Sequence, residues 1–247
     1  MNNMIYALLN ALAVAATIAI NGLANALPLN GQNTGEISNR YPLLITPAGW
    51  AFSIWGLIYL LQIGFAVYGF LPSIRTNAAF QKLSPFFLLS AAANISWIFF
   101  WHYQKFPLSL VAMLVILGSL IAVYLILNVG KVQRELADRL LLEAPFRVYL
   151  GWITVASIVN VSLLLFQSGW NGFGIRPEIW TVLLLGTALI LGIVAIVTRK
   201  DWLFTAVLAW AIFAIALKPQ QHDLVKIGSF ISAGSLLVLT LVGFVLR

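Results

Sequence analysis

Eight apolar segments, all but the seventh long enough to cross a lipid bilayer, follow one another along this chain of 247 residues and are separated by polar stretches. About 20 helical residues, at a rise of about 1.5 Å each, match a hydrocarbon core of about 30 Å. The segments lie at 4–27, 50–71, 85–101, 108–129, 146–166, 179–197, 202–217 and 224–246. The seventh, of about 16 residues, is short for a crossing and would need local thinning of the bilayer or snorkelling of Lys218.

The composition indicates a lipid environment. Hydrophobic residues make up 62% of the chain and charged residues 9%, which is too little polar surface to cover a soluble globule of this length. The apolar runs are continuous and lack a period of two, which excludes the alternating strands of a membrane β-barrel. We therefore predict an all-α fold, a polytopic integral membrane bundle of about eight transmembrane helices. The first segment is expected to be retained, because no Lys or Arg precedes it and no clear cleavage site follows.

The basic residues indicate topology rather than a nucleic-acid partner, because they are spread over the loops despite the net charge of +7. With eight spans, the side of the N-terminus carries nine of them and the other side five, so the positive-inside rule predicts that both termini are cytoplasmic. The nine are Arg75, Lys82, Lys131, Arg134, Arg139, Arg147, Arg199, Lys200 and Arg247, and the five are Arg40, Lys105, Arg176, Lys218 and Lys226.

Two loops stand out. The loop 131–147 carries seven charges, and Arg134 and Asp138 lie four residues apart in it, a spacing typical of a short interfacial helix. It is either a docking surface for a soluble partner or a solvated connector that continues the fourth helix. The loop 28–47 on the opposite side is long and rich in Asn and Gly. Loops of this length are usually functional or disordered, and the functional interpretation is a lid over a cavity between helices.

The first segment has small residues at a spacing of four, namely Ala7, Ala11, Ala15 and Ala19. Such a ridge lets another helix approach closely. We expect it to pack within the same chain, with a homodimer as the alternative. Asn21 and Asn25, one turn apart near the end of the segment, are expected to bond to neighbouring helices or to the loop 28–47.

Catalysis and metal binding have little support. The chain lacks cysteine, and every Asp, Glu, Lys and Arg lies in a loop or near a span end. His102 and His222 lie at the membrane boundary without evident partners, and we place His102 among the lipid headgroups. We therefore predict no enzyme activity, no catalytic residue, no metal site and no required cofactor.

Three aromatic motifs carry a family resemblance. Their residues are Pro47, Trp50, Phe52, Trp55 and Tyr59 in the second span, Asn94-Ile-Ser-Trp97 in the third, and Tyr149-Leu-Gly-Trp152 with Ala156 and Asn160 in the fifth. In this order they resemble the tryptophan-rich sensory protein or translocator protein (TspO/MBR) family. The resemblance covers residues 1–168, a five-helix bundle, and leaves 169–247 as a domain of three additional transmembrane helices. These could close the bundle, form a separate module or build a transport path.

The resemblance implies a cavity that binds a tetrapyrrole, such as protoporphyrin IX or haem, as a sensor or carrier. A flat apolar macrocycle with two carboxylates needs aromatic walls, hydrogen-bond donors and a cation such as Arg40 at the rim. The ligand-binding residues implied are Trp50, Trp55, Tyr59, Asn94, Trp97, Tyr149, Trp152 and Asn160, with Trp55 facing inward and Trp50 near the mouth.

Other interpretations of these residues stay open. Aromatic residues near span ends, including Trp50, are also typical of the membrane interface, and Asn94 and Asn160 are equally explained as hydrogen-bonding links between helices. The partners that the sequence indicates are the lipid bilayer and a small amphipathic ligand, with a homodimer as an open alternative and no nucleic acid. An eight-helix transporter of small or lipophilic substrates is the alternative function, and a membrane enzyme acting on a lipid or porphyrin is the third. Prolines near the predicted span starts, Pro85 among them, favour ordinary helices over the broken helices of many transporters.

Overall fold

A computed structural model describes residues 3–27, 29–219 and 221–245. Three predicted positions lie outside these ranges, namely the loop start at Pro28, the end of the last span at Leu246 and the basic residue Arg247. The described residues form helices and no strand, and these helices include seven that are long and apolar enough to cross a membrane. The protein is therefore a multi-pass integral membrane protein with an all-α fold, as predicted.

Eight long helices correspond to the eight predicted segments. They are α1 Asn3–Ala26, α2 Ile54–Tyr68, α3 Ala78–His102, α4 Phe106–Leu127, α5 Ala144–Gln167, α6 Pro177–Arg199, α7 Trp202–Ala216 and α8 Asp223–Val245. A 3-10 turn, Gly49–Ser53, extends α2 to a membrane-spanning length. The apolar helix α7 has only 15 residues, in agreement with the short seventh segment.

The start of α3 differs from the prediction. The helix begins at Ala78, and Pro85 lies inside it rather than near its first turn. The side chain of Asn77 caps this earlier start, because its Oδ1 accepts hydrogen bonds from the N–H groups of Ala79 at 2.8 Å and Phe80 at 3.4 Å. The hydropathy pattern missed the first two turns of α3, because Gln81, Lys82 and Ser84 interrupt their apolar residues.

The loop between α4 and α5 also differs. Helix α4 ends at Leu127, and the helical part of the loop runs through a π-helical stretch, Arg139–Glu143, directly into α5. The prediction that this loop continues the fourth helix was wrong. Arg134 does not pair with Asp138 but with Glu143, at 3.0 Å between Nε and Oε1.

Helix α5 lies at the centre of the bundle and packs against α2, α4 and α7. Gly151 allows the approach of α7, since a Cβ there would lie 2.9 Å from the Cβ of Val207. Helix α7 packs in turn against α6 and α8, and residues of α6, α7 and α8 belong to the same hydrophobic core as those of the first five helices. Helix α7 therefore connects α6 and α8 to α5, and the three additional helices share one core with the first five.

Helix α1 buries a different face from the one expected. Its buried residues are spaced by three and four and are Ala7, Asn10, Val14, Thr17, Asn21 and Ala24. Asn10 donates from Nδ2 to the hydroxyl of Ser84 at 2.9 Å, so polar contacts select this face. Ala15 and Ala19 are exposed, so the prediction that the alanine ridge packs within the chain was wrong for these two residues. Association of a second copy through them stays a prediction.

Candidate functional site

Two adjoining cavities lie among the first five helices beneath the loop 28–47. The smaller, the tryptophan cavity, has a volume of about 40 Å³, and the larger, the loop cavity, about 290 Å³. Both are lined by Thr34, Phe52, Trp55 and Trp97. The tryptophan cavity is also lined by Ser38, Pro47, Trp101, Met113, Trp152, Val155, Ala156, Val159 and Asn160. The loop cavity is also lined by Asn21, Gly22, Asn25, Asn33, Gly35, Gly49, Tyr59 and Ile98.

Aromatic rings packed in pairs form the walls. Trp97 stacks on Trp101 with 5.3 Å between ring centroids, and Trp55 stacks on Tyr59 one turn away at 5.5 Å. Phe52 meets Trp152 edge to face at 5.6 Å. Each ring is held by a neighbouring ring, and such pairs contribute about 0.5–1.5 kcal/mol beyond the area that they bury. The walls are therefore preorganised.

A chain of hydrogen bonds behind the walls joins α1, α3 and α5. Asn21 donates to Oδ1 of Asn94 at 2.8 Å, and Nδ2 of Asn94 donates to the hydroxyl of Tyr149 at 3.0 Å. All three side chains are buried, and the ring of Tyr149 packs against Trp55 at 5.7 Å. The expectation that Asn21 bonds to a neighbouring helix is confirmed. This chain fixes the three helices that support the wall.

Asn160 joins α3, α4 and α5 in the same way. Its Oδ1 accepts hydrogen bonds from the indole Nε1 of Trp97 at 3.2 Å and from the hydroxyl of Ser109 at 2.9 Å. Its Nδ2 donates to the carbonyl oxygen of Ala156 at 2.9 Å. Asn160 therefore both lines the tryptophan cavity and holds the plane of the Trp97 ring.

The loop above the cavities contains a short helix, Thr34–Arg40, which we call the lid helix. Asn33 caps it, because its side chain accepts a hydrogen bond from the N–H of Glu36 while the Glu36 carboxylate accepts one from the N–H of Asn33, both at 2.9 Å. This reciprocal arrangement is a capping box. Thr34 and Ser38 of the lid helix line the tryptophan cavity, so the loop covers the cavity.

Thr34 is tied to the bundle at three points. Its N–H donates to Oδ1 of Asn25 at 3.3 Å, and its carbonyl accepts a hydrogen bond from the indole of Trp101 at 3.3 Å. Its hydroxyl lies 3.1 Å from Nε2 of His102. We call these three contacts the latch. They hold the first residue of the lid helix against the ends of α1 and α3.

His102 is fully buried, so its placement among the lipid headgroups was wrong. Its Nδ1 lies 2.9 Å from the carbonyl oxygen of Leu29. A carbonyl only accepts, so Nδ1 carries a proton, and in the neutral ring Nε2 accepts a hydrogen bond from the Thr34 hydroxyl. Both ring nitrogens are thereby used in holding the loop. His222, in contrast, is 45% exposed and lies 3.5 Å from the Glu178 carboxylate.

Helix α7 and the turn after it hold the other half of the loop. Four hydrogen bonds do so: Lys218 Nζ to Leu43 O at 3.0 Å, Gln221 Nε2 to Leu44 O at 2.8 Å, the Ala48 N–H to Ala214 O at 3.1 Å, and Trp210 Nε1 to Ala51 O at 3.2 Å. Burial lowers the pKa of the Lys218 ammonium, because desolvation disfavours the charged form. The additional helices therefore anchor the end of the loop that leads into α2.

The eight residues singled out in the sequence occupy four positions. Trp55, Trp97, Trp152 and Asn160 line the tryptophan cavity, and Tyr59 lines the loop cavity. Asn94 and Tyr149 lie behind the wall in the hydrogen-bonded chain. Trp50 lies outside both cavities, in the 3-10 turn before α2, and packs edge to face against Trp210 at 4.7 Å.

Sequence reasoning missed Thr34, Trp101 and Ser109. The capping-box pattern from Asn33 to Glu36 was a readable signal for the lid helix and hence for Thr34. Trp101 is one turn after Trp97 and shares its helix face, which was a signal for stacking. Ser109 had no such signal, because its partner Asn160 is 51 residues away in the chain.

Comparison with known proteins gave one family. The family model for TSPO-like proteins matches residues 7–242. This range runs from α1 into α8 and extends well beyond residue 168, where the resemblance in the aromatic motifs ends. Comparisons with curated proteins and with solved structures gave no match.

Proposed function

The chain belongs to the TSPO-like protein family, and on that premise we propose that it binds a tetrapyrrole, or another flat amphipathic ligand, between its tryptophans and beneath the lid helix. It acts as a sensor or carrier and leaves the ligand chemically unchanged. One observation carries the proposal: a cavity walled by Trp55, Trp97 and Trp152 and covered by a loop that is latched by hydrogen bonds.

The chemistry of the walls suits such a ligand. Aromatic faces favour a planar conjugated ring, and the indole pairs present those faces without a large loss of side-chain entropy. Arg40 is exposed at the end of the lid helix, where its guanidinium is available to a carboxylate at the rim of the site. The imidazole of His102 does not serve as an axial ligand for haem iron in this arrangement, because both nitrogens are hydrogen-bonded.

The size of the site implies movement of the lid. Sites for drug-sized ligands have volumes of about 300–1,000 Å³. The tryptophan cavity, at about 40 Å³, is too small, and the loop cavity, at about 290 Å³, is at the lower limit. Thr34 of the lid helix lines both cavities, so lifting it would enlarge both. The proposed binding step is therefore displacement of the lid helix while the walls stay in place.

Titration of protoporphyrin IX and haem into the purified protein, followed by tryptophan fluorescence, tests the proposal. We expect saturable quenching, with weaker binding for Trp97→Phe and Trp152→Phe. Trp170→Phe is the matched control. Trp170 lies in the connection between α5 and α6, away from the cavities, and packs against Trp180. Non-saturable quenching that is the same in all four proteins would sink the proposal.

A transporter that uses all eight helices is the second candidate. The observation in its favour is the attachment of the loop to α7, which couples the cover of the site to the last three helices. Flux of a labelled porphyrin into proteoliposomes would support transport. Saturable binding without flux or turnover supports a sensor, and consumption of the ligand would indicate an enzyme.

A further inference from the structure

A pocket of about 480 Å³ lies at the opposite end of the bundle from the lid, and nothing in the proposed function uses it. It is lined by Gly130, Lys131, Val132, Gln133, Arg134, Arg139 and Lys200. We call it the basic pocket. Four of its seven lining residues are cationic and none is acidic, so its chemistry is that of an anion site.

The backbone around the basic pocket is fixed by close packing. Gly130 has a φ of +76°, and a Cβ there would collide with the carbonyl group of Arg199, so only glycine fits. Lys200 also has a positive φ, +50°, at the end of α6. The Arg199 guanidinium donates to Oδ1 of Asn128 at 3.1 Å and so ties the two connecting segments together. The pocket is therefore a built concavity, formed where the connections after α4 and α6 meet.

Its positive charge is only partly compensated. Arg134 is paired with Glu143 at 3.0 Å and also donates to the carbonyl oxygen of Leu127. Within the ranges that the structure describes, Lys131, Arg139 and Lys200 take part in no ion pair. These three cations face a pocket whose lining contains no acidic residue, which raises the local concentration of anions.

Arg139 gives a second, independent indication of a ligand. Its Nε is shielded from solvent and has no hydrogen-bond partner. A buried N–H of a charged guanidinium without an acceptor is unfavourable, and such groups are nearly always satisfied in native proteins. An anion in the basic pocket would supply the missing acceptor.

The depth of the pocket matches the headgroup layer of a bilayer. Helix α4 ends at Leu127 and α6 at Arg199, while α5 begins at Ala144 and α7 at Trp202, so four apolar helices terminate around it. Basic pockets between transmembrane helices at this level bind phosphate-bearing lipid headgroups. Arg offers a planar fork of donors and Lys a mobile charge, a combination that suits the oxygens of a phosphate group.

We propose that the basic pocket binds a phosphate group, through Lys131, Arg139 and Lys200, either on the headgroup of an anionic phospholipid or as a soluble anion. In the lipid case the acyl chains lie along the bundle beside the ends of α4 and α6. The pocket then fixes the connections at this end of the bundle, as the latch fixes the loop at the other.

Thermal unfolding of the full chain in detergent, followed while an anion is titrated, tests this assignment. The probes are dioctanoyl phosphatidylglycerol, dioctanoyl phosphatidylcholine and inorganic phosphate. A ligand that binds only the folded state raises the midpoint in a saturable manner. We expect saturable stabilisation by phosphatidylglycerol, and apparent affinity weaker by about tenfold or more in Arg139→Gln and Lys200→Gln.

Lys82→Gln is the matched control, because Lys82 is exposed at the same end of the bundle near the start of α3 and outside the pocket. Lys200 is exposed, so Lys200→Gln keeps the test valid if Arg139→Gln impairs folding. Saturation by inorganic phosphate that is lost in the same two variants also supports the site and assigns it to a soluble anion. Equal responses to phosphatidylglycerol and phosphatidylcholine, or equal losses in all three variants, would overturn the proposal.

Discussion

Arg147 on α5 and Asp201 at the start of α7 form an ion pair, with Nη2 and Oδ1 2.6 Å apart, and both side chains are almost completely buried. The same Oδ1 accepts a hydrogen bond from the N–H of Phe204 at 3.1 Å, so Asp201 also caps α7. The Arg147 guanidinium lies 5.9 Å from the ring centroid of Trp202. This pair joins the first five helices to the last three.

Removing one partner of this pair should be costly. In Asp201→Asn the Arg147 charge stays buried without its counter-ion, so we expect the free energy of unfolding in detergent to fall by about 3–5 kcal/mol. The double variant Arg147→Met with Asp201→Leu should recover a large part of this loss, apart from about 1 kcal/mol for the cap. In the partly exposed pair of His222 and Glu178, His222→Asn should cost less than about 1 kcal/mol. Equal losses in the single and double variants would contradict the argument.

The latch should control how often the lid helix opens. His102→Ala removes the acceptor of the Thr34 hydroxyl and the donor to Leu29, and each lost hydrogen bond contributes about 0.5–1.5 kcal/mol. We expect amide hydrogen exchange in residues 34–40 to become about 5- to 30-fold faster, as a loss of about 1–2 kcal/mol implies. His222→Ala on the same side of the membrane is the control. Unchanged exchange in His102→Ala would show that the lid helix is held by other contacts.

The lowered pKa of Lys218 predicts a dependence of stability on alkaline pH. Between that lowered pKa and the usual value of a lysine, the unfolded chain binds more protons than the folded chain, so the folded state gains stability as the pH rises. Below the lowered pKa the full cost of the desolvated charge is present. We expect the midpoint of thermal unfolding to rise with pH in this range for the unchanged protein, and this rise to be absent in Lys218→Met. Lys226→Met, at an exposed position, should retain it.

The chain has no cysteine, so its orientation can be mapped with single introduced cysteines on a background without reactive thiols. If both termini are cytoplasmic, a membrane-impermeant maleimide should label Arg40→Cys on intact cells. It should label Lys82→Cys only after permeabilisation. The reverse pattern would contradict the orientation that the distribution of Lys and Arg indicates.

The number and order of the helices could be predicted because hydrophobicity over about 20 residues is a local property. Helix boundaries were harder to predict where capping decides them, as at Asn77, or where the backbone is not α-helical, as in Gly49–Ser53. Trp50 lies in that 3-10 turn and packs against Trp210, a partner 160 residues away that helical spacing did not indicate.

The site could be predicted where neighbours in space are neighbours on one helix, as for Trp97 and Trp101. Contacts between residues that are distant in the chain could not be predicted. Arg147 and Asp201 are separated by 54 residues, and each looked like an ordinary loop charge at a span end. His102 looked interfacial for the same reason, since only the folded loop buries it.

The 15 residues of α7 would measure about 22 Å along the helix axis, well short of the hydrocarbon thickness. Hydrophobic mismatch affects only the surfaces of a helix that face lipid. Ten residues of α7 are buried and the helix packs against α5, α6 and α8, so the short length of α7 does not require a thinner bilayer around it. The dependence of α7 on its neighbouring helices should also apply while the protein is inserted into the membrane. We expect a segment too short to partition stably alone to enter the membrane together with its neighbours, so the hydrogen bonds from α7 to the loop should form only after α8 has been synthesised.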